Sequence, residues 1–402
     1  MIRRPGELPH RNDDNGAVAD AGRARDLRSV IAVFGSLGWR AIGGPAAHVA
    51  LMEREVVRKR HWLDRTEFGR LFAACNLMPG PGSTQLALVL GLRRAGVAGM
   101  LLAALLFIGP AVLIMLGLAE VYRHVGANHQ VQLVLLGVDA AVVGIVARAA
   151  VDLAAFRRRN LLDIAIAVAA LVAGILGVNP IAVLAGGGLI AAAAWMVGEA
   201  MRGRRPGTGR SGALAPWVAA AHVPAMAAGL LPLGLTFLKI GALAFGSGYV
   251  LLPLLHADFV GGTFNLTEHQ VADAFAISQV TPGPVFAVAA FLGVQIAGIP
   301  GGLVSAAAIF APSFVFAPLV NVVMRLTEAH PALRATLDGV VVAAVGLIAF
   351  ACVSLARAAF VSPLEVVIAI LVFAMLWRWP RAQPAGVVMG VLGGLVVLAT
   401  TH

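Results

Sequence analysis

Long apolar runs alternate with short polar stretches along the whole chain, and several runs are cut mid-way by proline and glycine. The most informative is Thr66 to Arg94, divided by Pro79-Gly80-Pro81-Gly82. Each flanking piece is about 13 residues of helical pattern, or roughly 20 Å at the helical rise. A hydrocarbon core is about 30 Å thick, so neither piece crosses it alone. Arg65 and Arg70 lie at one end of the stretch, Arg93 and Arg94 at the other. A break at mid-depth with charge at both ends predicts a hairpin that dips into the membrane and returns. The same pattern recurs in Thr267 to Ala297 around Pro282-Gly283-Pro284. Two broken segments at matching positions point to a carrier's substrate site.

The other runs fill in around these hairpins. Ser29 to Ile42 is apolar and stops at Gly43-Gly44-Pro45. Ala46 to Arg60 reads as a helix emerging to the interface. Val97 to Glu120, with a kink expected at Pro110, and Val131 to Phe156 are long enough to span. Leu161 to Val178 and Pro180 to Met201 form a pair joined at Asn179-Pro180. Arg202 to Gly212 is a basic linker, and Ala213 to Leu231 is an apolar segment with no partner in the first half.

A repeat organises the chain. Phe34, Gly38, Gly43, Leu63, Phe72 and Pro79-Gly80-Pro81 recur 203 positions later as Phe237, Gly241, Gly246, Leu266, Phe275 and Pro282-Gly283-Pro284 (282 − 79 = 203). One residue is then lost, and Ala95-Gly96, Pro110, Gly137 and Gly144 fall on Ala297-Gly298, Pro312, Gly339 and Gly346 (297 − 95 = 202). Two punctuated motifs in one register define two copies. The expected organisation is a disordered tail over 1–28, a first transporter repeat over 29–201, a basic linker plus an inverting transmembrane helix over 202–231, and a second repeat over 232–402. Between Leu37 and Tyr122 stand nine basic residues, and between Ile240 and Met324 none. By the positive-inside bias, the first copy's hairpin loops face the cytoplasm and the second copy's face outward. Arg357 falls on the outer side in this scheme, against the trend.

Composition agrees. The chain is 59% hydrophobic and 12% charged, which fits a polytopic membrane protein and no soluble core. The net charge of +10 sits in short loops between apolar runs, so it reports membrane orientation rather than nucleic-acid binding. Cys75 and Cys352 lie in apolar surroundings and read as small core residues. The fold class is thus all-α and polytopic, with two inverted-topology repeats whose re-entrant helices break around the GGP and PGP motifs.

Enzyme signatures are absent: there is no GxSxG, HExxH, GxxxxGK[ST] or CxxC, and no histidine pair at ligand spacing in an apolar run. No catalytic residue, metal site or cofactor is expected. An intramembrane enzyme would need a nucleophile or paired carboxylates at mid-depth, and none is visible. The hairpins instead offer backbone. A helix starting at mid-membrane leaves its first N–H groups unpaired and carries about half a positive charge. Gly82-Ser83-Thr84-Gln85 opens one such helix and Pro284-Val285-Phe286 the other. Asn76, Gln279 and Thr281 flank the tips. Such neutral donors and helix poles suit a compact oxyanion. Arg40 and Lys239 are the cations within reach, and the breaks at Gly43-Gly44 and Gly246-Ser247 join the candidate site. Each has a plainer reading: the prolines kink helices, and Lys239 snorkels to the interface. His48 reads as structural, and Asp139 is expected at the interface.

The motif set resembles the chromate ion transporter family in its long, two-domain form. In the first copy it comprises Phe34, Gly38, Gly43-Gly44-Pro45, His48, Trp62-Leu63-Asp64, Pro79-Gly80-Pro81 and Arg94-Ala95-Gly96. In the second it comprises Phe237-Leu238-Lys239-Ile240-Gly241, Phe245-Gly246-Ser247-Gly248-Tyr249 and Gln279-Val280-Thr281-Pro282-Gly283-Pro284. The resemblance covers nearly all of the chain after residue 28. It implies export of chromate across the inner membrane, hence chromate resistance. The implied partners are a small inorganic oxyanion and the lipid bilayer, with no nucleic acid; sulfate transport and a homodimer stay open. Two positions depart from the family pattern: Ser36 stands where a basic residue is usual, and Ile42 where an aromatic is. Arg40, one turn from Ser36, is placed to compensate.

Overall fold

The computed structural model describes residues 13–42, 45–126, 128–155, 160–202, 229–245, 248–260, 263–379 and 382–400. The expected inverting helix and most of the basic linker lie outside them, as do Gly43, Gly44, Gly246 and Ser247. The described residues form helices, joined by two isolated β-bridges. Those of the first copy are α1 (Asp13–Arg40), α2 (Pro45–Glu53, running into a π-helical turn Arg54–Lys59), α3 (Arg65–Leu77), α4 (Gly82–Val125), α5 (His129–Ala155), α6 (Leu161–Ile175) and α7 (Pro180–Met201). Those of the second are α8 (Leu230–Leu243), α9 (Leu251–Phe259), α10 (Glu268–Val280), α11 (Val288–Ala329), α12 (Pro331–Ala359), α13 (Pro363–Arg378) and α14 (Gln383–Thr400). Five stretches are long and apolar enough to cross a membrane: Gly82–Val125, His129–Ala154, Pro180–Met201, Val285–Ala329 and Pro331–Ala359. Large apolar side chains such as Leu105, Leu113, Leu189 and Val315 stand exposed on them, as lipid-facing positions require.

Local chemistry repeats with the sequence. Asp64 caps α3 and its equivalent Thr267 caps α10, each side chain accepting a backbone N–H three residues on. Asn160 and Ser362, also equivalent, cap α6 and α13. The sharpest turns are Ala95-Gly96 in α4, with φ −142° and +64°, and Ala297-Gly298 in α11, with φ −140° and +65°. Both glycines occupy the positive-φ region that side chains rarely enter. Each bend folds a short first segment back against the long remainder, Gly91 meeting Gly99 and Gly293 meeting Gly301. Pro110 lies further along α4, whose backbone angles leave the helical region at Ala95 and Gly96. The tail is shorter than expected. Residues 13–28 belong to α1, where Asp26 pairs with Arg94 at 2.8 Å.

The long segments of α4 and α11 lie side by side and antiparallel. Arg123 near the end of α4 approaches Gly298 at the bend of α11, while Arg93 before the bend of α4 hydrogen-bonds Asn321 near the end of α11 at 2.9 Å. Equivalent helices that run antiparallel make the two copies inverted with respect to each other. The last helices of each copy are exchanged. Gly144 of α5 packs on Ala369 of α13, and its equivalent Gly346 of α12 packs on Ala167 of α6. Gly137 likewise meets Gly390 and Gly394 of α14, while Gly339 meets Gly187 and Ala191 of α7. Small residues let these backbones approach closely, the usual way helices associate in lipid.

Candidate functional site

In each copy the Pro-Gly-Pro turn sits between two half-helices. Arg93 at the end of the first segment of α4 pairs with Glu67 at the start of α3, so the two ends of this stretch lie together. Each turn is then fastened to the other copy. The Gly80 N–H donates to Ala244 O at 2.6 Å, and the Gly283 N–H donates to Ala41 O at 2.8 Å. These four residues are equivalent in pairs, so the two bonds are one interaction repeated by the pseudo-two-fold. Gly80 has φ +113° and faces Ser313 of α11; Gly283 has φ +96° and faces Ala111 of α4, the equivalent residue.

The helix starts behind the turns are buried and lack side-chain caps. Gly82, Ser83, Thr84 and Gln85 are buried, and Pro81 provides no cap. Val285, Phe286 and Ala287, which lead into α11, are buried behind an uncapped Pro284. The N–H groups opening a helix have no acceptor within it, so a buried, uncapped start favours an anion. Side-chain polarity gathers at the same place. Thr84 Oγ1, Gln85 Oε1, both amide atoms of Gln279, and Ser313 Oγ are buried without a hydrogen-bond partner among the described residues. Thr281 donates to Ser278 O at 3.2 Å and lies 3.7 Å from Met115 Sδ. Asn76 Oδ1 stands beside Gly82, where a Cβ would come within 2.6 Å of it.

Pro79, Gly80, Pro81, Gly82, Ser83, Thr84 and Asn76 thus form one tip, and Gln279, Thr281, Pro282, Gly283 and Pro284 form the other. Two residues outside the expected set join them. His48 is fully buried, 3.5 Å from Ser83 Oγ, with its ring edge-on to Phe107, whose backbone carbonyl lies near Gly283. Gln85 donates to Pro79 O and braces the first turn. Their signal was only an apolar neighbourhood, which a core residue shares.

The two cations are placed differently. Lys239 is held by Asp258 at 2.6 Å, both side chains being largely covered. Their equivalents in the first copy are Ser36 and Glu55, and Glu55 takes Lys59 at 2.7 Å instead. Arg40 is exposed and reaches back to Ser36 Oγ at 3.5 Å, the residue it was expected to compensate for.

The fold brings two acids together. Asp139 is only 3% exposed, because α10 and α14 cover that side of α5. Paired carboxylates, which the sequence did not reveal, exist: Asp139 of α5 and Asp273 of α10 come within hydrogen-bonding reach. Tyr122 donates to Asp273 Oδ2 at 2.6 Å, and His269 Nδ1 lies 3.7 Å from Asp139 Oδ2. A separation of 134 residues (273 − 139) hid the pair. Cys75 is a free thiol in the core, as expected, and Cys352 a free, half-buried one packed against that core.

The fold and site together define a helical, multi-pass membrane protein of two inverted repeats, each with a broken helix that meets the other copy. The chain belongs to the chromate transporter family, whose pattern matches residues 28–193 and 231–398, one match per copy. It is 32% identical over 382 residues to the chromate transport protein of Cupriavidus metallidurans, covering 94% of each chain. Against the probable chromate transport protein of Synechococcus elongatus it is 29% identical, covering 95% of this chain and 98% of that one. The chromate transport protein of Pseudomonas aeruginosa is 30% identical over 81% of this chain and 79% of its own. No solved structure matches the chain.

Proposed function

We propose that this protein is a secondary carrier that exports chromate across the inner membrane and so confers chromate resistance, with one anion site between the Pro79-Gly80-Pro81 and Pro282-Gly283-Pro284 turns. The observation that carries the reading is the pair of buried, uncapped helix starts, each tied to the opposite copy through Gly80 or Gly283. Together they supply about one positive charge. Ser83, Thr84, Asn76, Gln279 and Thr281 complete the shell with neutral donors, each contributing about 0.5–1.5 kcal/mol net. Arg40, next to the Ala41 carbonyl that accepts from Gly283, adds cationic character, while the charge of Lys239 is balanced by Asp258. Tetrahedral dianions share this chemistry, so sulfate is the natural competitor.

Export needs no coupling ion on energetic grounds. Moving two negative charges out of a negative-inside cell gains about 4.6 kcal/mol at 100 mV, sufficient for a gradient of about three orders of magnitude. The decisive measurement is uptake of labelled chromate into inside-out vesicles with sulfate and other oxyanions as competitors. Saturable uptake driven by an inside-positive potential is expected. Uptake of sulfate with no effect of chromate would reassign the substrate, and linear uptake without counterflow would make the protein a channel.

The orientation follows from the arginine asymmetry. With the native cysteines removed, a cysteine at His61 is expected to react with membrane-impermeant reagent only from the cytoplasmic side. One at Thr263, at the mouth of the second hairpin, should react only from outside. The reverse labelling at either position would refute the proposed orientation.

A further inference from the structure

The Asp139–Asp273 pair is not among the tip residues, and ionised carboxylates have no donor to offer an anion. It lines a cavity of about 600 Å³ whose walls also include Tyr122, Arg123, Gln132, His269, Gln270 and Gln295. Each carboxyl keeps one buried oxygen, Oδ1, without a hydrogen-bond partner among the described residues, although the two groups are within reach of each other. Two facing carboxylates have acceptors only, and a single proton between them supplies the missing donor and removes the like-charge repulsion. The remaining charges near them do not neutralise the pair. Arg123 is engaged by Glu120 at 3.2 Å, Glu268 by His256 at 3.1 Å, and α14 has no titratable side chain among its residues. Arg357 of α12 is exposed. His269, half-exposed in the same cavity, stands 3.7 Å from Asp139 Oδ2.

The arrangement is absent from the other pole of the pseudo-two-fold. There the equivalents of Asp139, Asp273 and Tyr122 are Val341, Arg70 and Met324. A packing role common to both copies would not account for a carboxyl pair in one and an arginine and a valine in the other. We infer that Asp139 and Asp273 together bind one exchangeable proton, taken from and returned to the cavity beside His269, and that this proton is coupled to oxyanion movement. The coupling rests on the carrier reading above; the proton site itself does not.

Two measurements on the full-length protein separate these claims. Infrared titration of the purified protein is expected to show a protonated-carboxyl band that changes with pH and disappears in both Asp139→Asn and Asp273→Asn. A band unchanged in both variants would overturn the shared proton, whether or not the protein transports anything. In vesicles containing a pH-sensitive dye, chromate flux through the unaltered protein is expected to move protons, and the protons moved per anion should fall at least ten-fold in either variant. Flux without proton movement in the unaltered protein would overturn the coupling and leave the carrier reading intact. Absence of chromate flux would instead count against the carrier reading and the coupling, with the proton site still decided by the infrared result. The wild-type measurements require no variant to fold.

Discussion

Replacing Gly283 by valine is expected to abolish chromate transport at normal expression. At φ +96° a β-branched residue is strained by about 1–3 kcal/mol. Its Cβ would also stand 2.6 Å from Ala111 Cβ, in a packed interior where α4 cannot retreat. The turn must then move, and the Gly283 N–H loses its bond to Ala41 O. A helix start displaced by even about 1 Å no longer aims its N–H groups at the anion, and losses on the order of 100-fold follow from misplacements of that size. Gly80→Val should behave alike, since Gly80 has φ +113° and the equivalent bond to Ala244 O. Gly96→Ala provides the control: it too has positive φ, but nothing lies within 4 Å of its added Cβ. If Gly283→Val transports as well as Gly96→Ala, the turns are bends and the anion passes elsewhere.

The second large effect has opposite signs in two assays. Gln279→Leu is expected to raise thermal stability while weakening chromate affinity by ten-fold or more. Gln279 is 1% exposed, and neither its Nε2 nor its Oε1 has a hydrogen-bond partner among the described residues. A buried polar group left unsatisfied costs about 1–3 kcal/mol, which leucine of similar volume would remove. A stabilising substitution that harms activity is the signature of a group retained for its ligand. Thr84→Val tests the same point on the other tip, because Thr84 Oγ1 is likewise buried and unpartnered. Higher melting temperature with unchanged affinity in both variants would show that these groups serve no anion.

Much of this was legible in the residues because membrane folding restricts what a chain can do. Backbone polar groups must be satisfied locally, so helices, their lengths and their breaks can be read from apolar runs and Pro-Gly punctuation. The repeat register predicted Ala95-Gly96 and Ala297-Gly298 as equivalents, and their φ angles agree within 2°. Arg40 and Ser36, four residues apart, were associated correctly because helix geometry alone brings them together.

The sequence by itself determined the helices, the two copies, the Pro-Gly-Pro turns and the excess of arginine in the first copy, all of which depend on local spacing or on composition. Only the tertiary structure decided which helix lies beside which. The exchange of α6 and α7 with α13 and α14 between copies depends on glycines meeting backbone far away in sequence, such as Gly346 on Ala167. The fastening of each turn to the opposite copy depends on backbone N–H and C=O groups that every residue carries, so no side chain announces it. Lys239 was ambiguous until Asp258 was found beside it. The burial of Asp139 comes from α10 and α14, contributed by the second copy, so no local pattern shows it. Burial and pairing are properties of neighbours in space, and in a chain of inverted, exchanged repeats many of those neighbours lie more than a hundred residues away.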